Sequence, residues 1–214
     1  MKAIIFLNGE YGYEKEFLNE IIDEKDIVFC ADGGANYTYK YNIYPNYIIG
    51  DLDSIDTIVL DFYKKEMVKI IKFDPEKNYT DFELILHEIE RYQRENSIIF
   101  DNIYVFGGLG KRLDMTLNNI NLLEEYQNLT FFSSNEEIFY KESSFCLKNK
   151  KGREISIISL DNLIEKLTLK GFKYEIEDIN IERKTSRLVS NIVISNKCFI
   201  NFKKGKIIVI LRKI

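Results

Sequence analysis

The sequence predicts an α/β fold with a mainly parallel sheet flanked by helices in its N-terminal part, followed by a C-terminal all-β sandwich. Three observations predict it. Up to about residue 133, short β-type runs alternate with stretches of helical period, as in a parallel sheet covered by helices on both sides. After Ser134, β-type runs recur with no competing helical period, separated by turn signals such as Lys151-Gly152 and Lys204-Gly205. Polar and glycine-rich segments directly follow the predicted strands, where open parallel sheets bind ligands.

In chain order, Ala3–Leu7, Ile27–Cys30, Tyr47–Ile49, Val68–Phe73, Asn102–Phe106 and Leu129–Phe132 are apolar runs of strand length. The clearest helix between them is Phe82–Glu95, with Phe82, Ile85, Ile89 and Tyr92 in one stripe. A second is Leu113–Tyr126, where Leu113, Leu117, Ile120 and Leu123 are expected to share the buried face. Strands then follow at Ile138–Tyr140, Ser144–Leu147, Glu154–Ile158, Lys166–Leu169, Ile192–Ile194, Cys198–Phe202 and Lys206–Leu211. The change of pattern divides the chain into domains 1–134 and 135–214, with no long linker between them.

A chain of 214 residues, 45% of them hydrophobic, can bury a core. Its 30 Lys+Arg and 34 Asp+Glu give a net charge of −4, and no basic run exceeds short pairs such as Lys203-Lys204. Nucleic acid and an anionic membrane are therefore not expected partners. Cys30, Cys146 and Cys198 are odd in number and each lies in an apolar segment, which fits buried thiols in a cytoplasmic protein better than zinc or disulfides. The apolar start Ala3–Leu7 meets Asn8-Gly9-Glu10 before it reaches signal-peptide length, and no segment approaches the roughly 20 residues of a transmembrane helix.

The most informative segment is Ile49-Gly50-Asp51-Leu52-Asp53-Ser54. If the strand continues through it, Asp51 and Asp53 face one spot. Two carboxylates about 4 Å apart repel by roughly 4 kcal/mol at an effective dielectric near 20. A cation, with magnesium the expected one, would relieve that cost.

Three further loops follow strands: Asp32-Gly33-Gly34-Ala35, Lys77-Asn78-Tyr79-Thr80-Asp81-Phe82-Glu83 and Gly107-Gly108-Leu109-Gly110-Lys111-Arg112-Leu113-Asp114. All four loops are expected to open on the same rim. Local structure accounts for part of them. Asp32 with two glycines is equally compatible with a tight turn. Thr80 and Glu83 read as a capping box, which leaves Asp81 unexplained. Asp114 suits a helix N-cap. The glycine loop is either merely flexible or lets backbone N–H groups approach phosphate, with Arg112 able to bind it bidentately. It is not a Walker A motif, since Val105 and Arg112 stand where Gly and Ser or Thr are required, and no G-x-G-x-x-G follows the first strand. His87 reads as a surface residue, and most tyrosines, Tyr37 among them, as packing residues.

Together these loops resemble the thiamine pyrophosphokinase family, over nearly the whole chain. The resemblance rests on Asp32-Gly33-Gly34-Ala35, Pro45 before Gly50-Asp51-Leu52-Asp53-Ser54, Lys77 with Thr80-Asp81-x-Glu83, and Gly107-Gly108 with Arg112 and Asp114. Thr168–Tyr174, Ser190-Asn191 and Gly205–Ile210 add to it in the second part. Asn78, Lys111 and Met115 depart from the family's usual Asp, Gly and His; Asn78 removes one acidic group from the metal-binding rim, and Lys111 adds a cation near the phosphates that the resemblance implies. The core acids Asp51, Asp53, Asp81 and Asp114 are kept, which implies an active enzyme.

The resemblance implies transfer of the pyrophosphoryl group of ATP to the thiamine hydroxyl, with AMP released. It implies an α/β nucleotide domain, a β-sandwich and an active site completed across a homodimer. Magnesium would be held by Asp51, Asp53 and Asp81, one of which would take the hydroxyl proton. Asp32, Gly33, Gly34, Lys77, Thr80, Gly108, Arg112 and Asp114 would serve the nucleotide. Asp81, Tyr174, Ser190 and Asn191 would serve thiamine, between the carboxylate rim and the sandwich. The rival readings are a pyrophosphokinase acting on a hydroxymethyl pterin, a haloacid-dehalogenase-type phosphatase suggested by Asp51-Leu52-Asp53, and a non-catalytic nucleotide or thiamine sensor.

Overall fold

Strand β1 (Ala3–Phe6) is buried along its whole length. Because side chains alternate along a strand, this is a strand inside a sheet covered on both faces. It belongs to a computed structural model that describes residues 1–76 and 78–213. Two units are distinguished, one of Met1–Leu122 with Asn128–Ser134, the other of Leu123–Gln127 with the chain from Asn135 onward.

In the first unit β1, β2 (Ile27–Ala31), β3 (Tyr47–Gly50), β4 (Lys69–Lys72), β5 (Ile103–Phe106) and β6 (Leu129–Phe132) run parallel in the order β6-β5-β1-β2-β3-β4. The connecting helices are α1 (Lys15–Ile21), α2 (Gly34–Tyr41), α3 (Thr57–Lys65), α4 (Asp81–Asn96) and α5 (Leu113–Glu125). Ile4, Phe6, Val28, Cys30 and Ile48 share one core with Leu18 of α1, Ala35 and Tyr41 of α2, and Val59 and Tyr63 of α3. Helix α4 packs on β2 and β3 and buries Phe82, Ile85 and Ile89, as its stripe predicts. Strand order reverses beside β1, whose neighbours are β2 on one side and β5 on the other. Such a switch point opens a crevice at the carboxyl ends of the strands.

Helix α5 departs from the expected face. Leu113 and Leu117 are 74% and 56% exposed, whereas Asn119 and Leu123, one turn apart, are buried. The Asn119 amide donates to the Gly108 carbonyl at 2.7 Å, which sets the rotation of the helix by a polar contact that hydrophobic spacing does not register.

In the second unit β7 (Glu136–Lys141), β9 (Glu154–Ser159), β12 (Asn191–Ile192) and β14 (Ile207–Arg212) run antiparallel in the order β12-β9-β14-β7. A second antiparallel sheet, β11-β10-β13-β8, comprises β8 (Phe145–Lys148), β10 (Leu163–Lys170), β11 (Ile176–Glu182) and β13 (Lys197–Asn201). Ile155, Ile157, Val209 and Leu211 of the first set share a core with Leu147, Ile164, Leu167 and Ile200 of the second, the packing of a sandwich. Strand β11 has no counterpart in the sequence reading. Its pairing with β10 shifts register twice, and Asp178 within β11 carries positive φ, so the alternation that marks a strand is broken. Among the described residues no helix is long and apolar enough to cross a membrane.

Candidate active site

The loops after β1 and β5 are tied together at the switch point. Leu7 N–H donates to Phe106 O at 2.9 Å, Gly9 N–H to Gly107 O at 2.7 Å and Glu10 N–H to Leu109 O at 2.9 Å. Beside them opens a cavity of about 410 Å³, within the first unit, lined by Asn8, Asp32, Asp51, Asp53, Thr80, Asp81, Gly108, Lys111 and Arg112 among others. Residues from all four loops singled out in the sequence reach it.

Asp32 follows β2 in a left-handed conformation, φ 41°. Its N–H donates to Ile49 O at 3.0 Å, which holds the turn on the neighbouring strand. The next turn starts α2 so close to β1 that a Cβ on Gly34 would lie 2.1 Å from Phe6 O. The Asp32 carboxylate is buried and accepts the N–H groups of Ser54 at 3.0 Å and Ile55 at 3.1 Å.

Asp51 and Asp53 do not lie on an extended chain. Strand β3 stops at Gly50, and Leu52 between the two acids has φ 67°. A turn brings them together: Asp53 N–H points at Asp51 Oδ1 at 3.4 Å, and the Ser54 hydroxyl donates to Asp53 Oδ1 at 2.8 Å. The expected convergence holds, but through turn geometry rather than strand alternation. One carboxylate oxygen from each of Asp32, Asp51 and Asp53 falls within 4.8 Å of the others. Burial, then the neighbouring Asp53 and Asp51 charges, push the Asp32 carboxyl up to about 6, against the pull of the Ser54 N–H. Three hard oxygen donors, one disfavoured as an anion, fit a hydrated divalent cation such as magnesium.

Asp81 is the first residue of α4. The capping box is present: Thr80 Oγ1 accepts Glu83 N–H at 3.3 Å and the Glu83 carboxylate accepts Thr80 N–H at 2.9 Å. The helix start is thereby held, and the carboxyl carbon of Asp81 lies 3.3 Å from where a Cβ on Gly50 would stand. Asp32 Cβ is 3.1 Å from the same point. A side chain at this position would crowd both.

On the glycine loop Arg112 pairs bidentately with Asp114, Nη2 to Oδ2 at 2.5 Å and Nε to Oδ1 at 3.2 Å, both side chains exposed. The Arg112 guanidinium, then the Met115 N–H, hold the Asp114 carboxyl below its ordinary value. Asp114 stands in the first turn of α5 rather than capping it, because the helix already begins at Leu113. Lys111 Nζ donates to Asn8 O at 3.1 Å and to the Tyr37 hydroxyl at 3.0 Å. Gly33 packs against the Asn8 side chain. Lys77 lies outside the described residues. His87 is exposed, edge-on to Tyr79.

In the second unit the structure joins Tyr174 and Asn191. Asn191, buried, accepts Tyr174 N–H at 3.0 Å and donates to Tyr174 O at 2.8 Å, while the Tyr174 side chain is exposed. Ser190, at φ 58°, donates N–H to Ser156 Oγ at 3.0 Å.

Asn8 and Tyr37 were not among the expected site residues. For Asn8 a signal existed, since it follows β1 as the other site residues follow their strands. Nothing marked Tyr37, which was indistinguishable from the packing tyrosines.

Comparison with known proteins gives a consistent picture. Residues 18–132 match the family model described as thiamin pyrophosphokinase, catalytic domain, and residues 142–207 match the one described as thiamin pyrophosphokinase, vitamin B1 binding domain. Thiamine pyrophosphokinase of Bacillus subtilis is 28% identical over 201 residues, 88% of each chain. Thiamine pyrophosphokinase 3 of Oryza sativa subsp. japonica is 29% identical over 145 residues, 59% of this chain but only 52% of the rice protein, so the chain spans about half of that relative. The crystal structure of thiamine pyrophosphokinase from Bacillus subtilis superposes with a TM-score of 0.84 at 26% identity, covering 100% of both chains.

Proposed function

Because the chain belongs to the thiamin pyrophosphokinase family, we propose that it transfers the pyrophosphoryl group of ATP to the hydroxyl of thiamine, giving thiamine diphosphate and AMP. The observation that carries this reading is the convergence of Asp32, Asp51 and Asp53 in a cavity whose other wall is the Gly107–Arg112 loop. An acidic wall suits a cation, and a basic glycine loop suits phosphate.

In the reaction the hydroxyl oxygen bonds to the β-phosphorus, the bond from that phosphorus to the α,β-bridging oxygen breaks, and AMP leaves. Asp51 and Asp53, with Asp32 or Asp81, would hold magnesium, which when bound screens the charge on the transferred group. The protein's task is positioning and charge neutralisation. One of Asp51, Asp53 and Asp81 takes the hydroxyl proton. The glycine loop offers backbone N–H groups to phosphate oxygens, and Arg112 binds phosphate after exchanging Asp114 for it, a swap that exposure makes easy. Thr80 sets the start of α4 and hence Asp81, while Gly33 and Gly34 let the Asp32 turn approach β1. In the second unit Tyr174 offers a face to the cationic thiazolium, with Asn191 positioning its backbone and Ser190 beside it.

This reading includes a homodimer, supported by the exposed apolar residues Leu113, Met115 and Leu117 of α5. It places the enzyme in the cytoplasm, in keeping with three free cysteines.

The test is incubation with ATP, magnesium and thiamine, followed by product identification by mass. AMP and thiamine diphosphate are expected, with loss of both in Asp53→Ala and Asp81→Ala variants that still fold. Product from a hydroxymethyl pterin and none from thiamine would overturn the proposal.

A further inference from the structure

We propose that Lys111 is a phosphate-binding residue of the nucleotide site, an inference that rests on the reading above and adds to it a residue where the family usually has glycine. Lys111 occupies a left-handed backbone position, φ 53°, which a side chain other than Gly, Asn or Asp seldom adopts and which disfavours lysine against glycine. A strained residue on a site-lining loop marks a functional role when its side chain is also placed for one. This one is. Lys111 lines the cavity that holds Asp32, Asp51 and Asp53, and its ammonium is bonded to Asn8, which lines the same cavity.

The two cations of the loop are in different states. Arg112 is neutralised by Asp114. Among the described residues no carboxylate pairs with the Lys111 ammonium, which is held by neutral oxygens: Asn8 O at 3.1 Å, the Tyr37 hydroxyl at 3.0 Å and, more weakly, Asn8 Oδ1 at 3.4 Å. An ammonium has three N–H donors, and the long contact to Asn8 Oδ1 is the one to exchange for a phosphate oxygen. The other two bonds fix its position. Tyr37 is itself stacked on Tyr11, ring centroids 3.6 Å apart, and the Tyr11 hydroxyl donates to Leu7 O at 2.5 Å. The ammonium is thus fixed on a residue of the cavity that also holds the acidic cluster, so that a metal-bound polyphosphate filling that cavity would meet cation and carboxylates together.

The test is binding of magnesium α,β-methylene-ATP, in which the bond to be broken is replaced, to the whole chain by calorimetry. Lys111→Met is expected to weaken binding about tenfold, equal to about 1.4 kcal/mol, with the wild-type melting temperature retained. Lys111→Gly, which suits the left-handed backbone, is expected to bind as weakly while melting at or above the wild type. Lys111→Arg is expected to recover most of the affinity. Binding by Lys111→Met within twofold of wild type overturns the inference, as does a loss of affinity that follows a fall in melting temperature in both variants. Because the analogue is not turned over, this result is independent of whether thiamine is the acceptor. Failure of the wild type to form AMP from thiamine would strike the proposed function alone.

Discussion

The Asp32 carboxylate accepts the backbone N–H of Ser54 at 3.0 Å, fastening the turn after β2 to the turn that carries Asp51 and Asp53. One carboxylate thereby belongs both to the candidate metal cluster and to the scaffold that forms it.

Removing Asp32 therefore has a structural cost. Asp32→Ala leaves the Ser54 and Ile55 N–H groups without their acceptor, and is expected to lower stability by about 2 kcal/mol at pH 5. At pH 7 the loss is smaller, because the cost of burying the charge, and then its repulsion from Asp53 and Asp51, disappears with the carboxylate. Urea denaturation at the two pH values checks the order.

The raised Asp32 carboxyl makes the metal-free protein sensitive to pH. With a folded value of about 6 and an unfolded value near 3.9, the folded state binds more protons in between. Its contribution to stability is full below about 4 and is lost as pH rises through about 6. A divalent cation needs the ionised form. The melting shift produced by magnesium is thus expected to be larger at pH 7.5 than at pH 5, and Asp32→Asn to flatten that difference. Equal shifts at both pH values in the wild type would count against the metal assignment.

Gly50 has φ 149° and lies against Asp32 and Asp81. In Gly50→Ala the new Cβ meets Asp81 Cγ at 3.3 Å, so Asp81 must shift. The relief needed is a few tenths of an ångström, so steady-state AMP release is expected to fall, but by less than the about hundredfold that a 1 Å misplacement costs, alongside a backbone penalty of about 1–3 kcal/mol in thermal or urea unfolding.

The capping box makes a separate, local contribution. Thr80→Ala removes the acceptor of Glu83 N–H and is expected to cost about 1 kcal/mol, with Thr80→Ser restoring most of it. Chemical denaturation of the three proteins side by side measures this. A loss above about 3 kcal/mol would show that Thr80 holds more than the helix end.

Local pattern carried most of the architecture. The strands β1 to β6 were legible because each is a short apolar run bounded by polar loops, and the four site loops because they follow strands. Strand β11 was not, since a bulge at Asp178 breaks its alternation. Nor was the buried face of α5, which Asn119 decides through a bond to Gly108. Asn8 follows the same placement rule as the other site residues, but its spacing matched no nucleotide motif.

The sequence by itself determined the fold class and the family, and singled out Asp51, Asp53 and Asp81 as candidate site carboxylates, because these depend on residue type and order. Tertiary structure decided that Asp32 joins Asp51 and Asp53, that a turn rather than a strand aims that pair, and that Lys111 is held by Asn8 and Tyr37. Those are contacts between segments distant in the chain. Their geometry follows from strand order at the switch point and from backbone conformations at Asp32, Leu52 and Lys111 that no residue type announces.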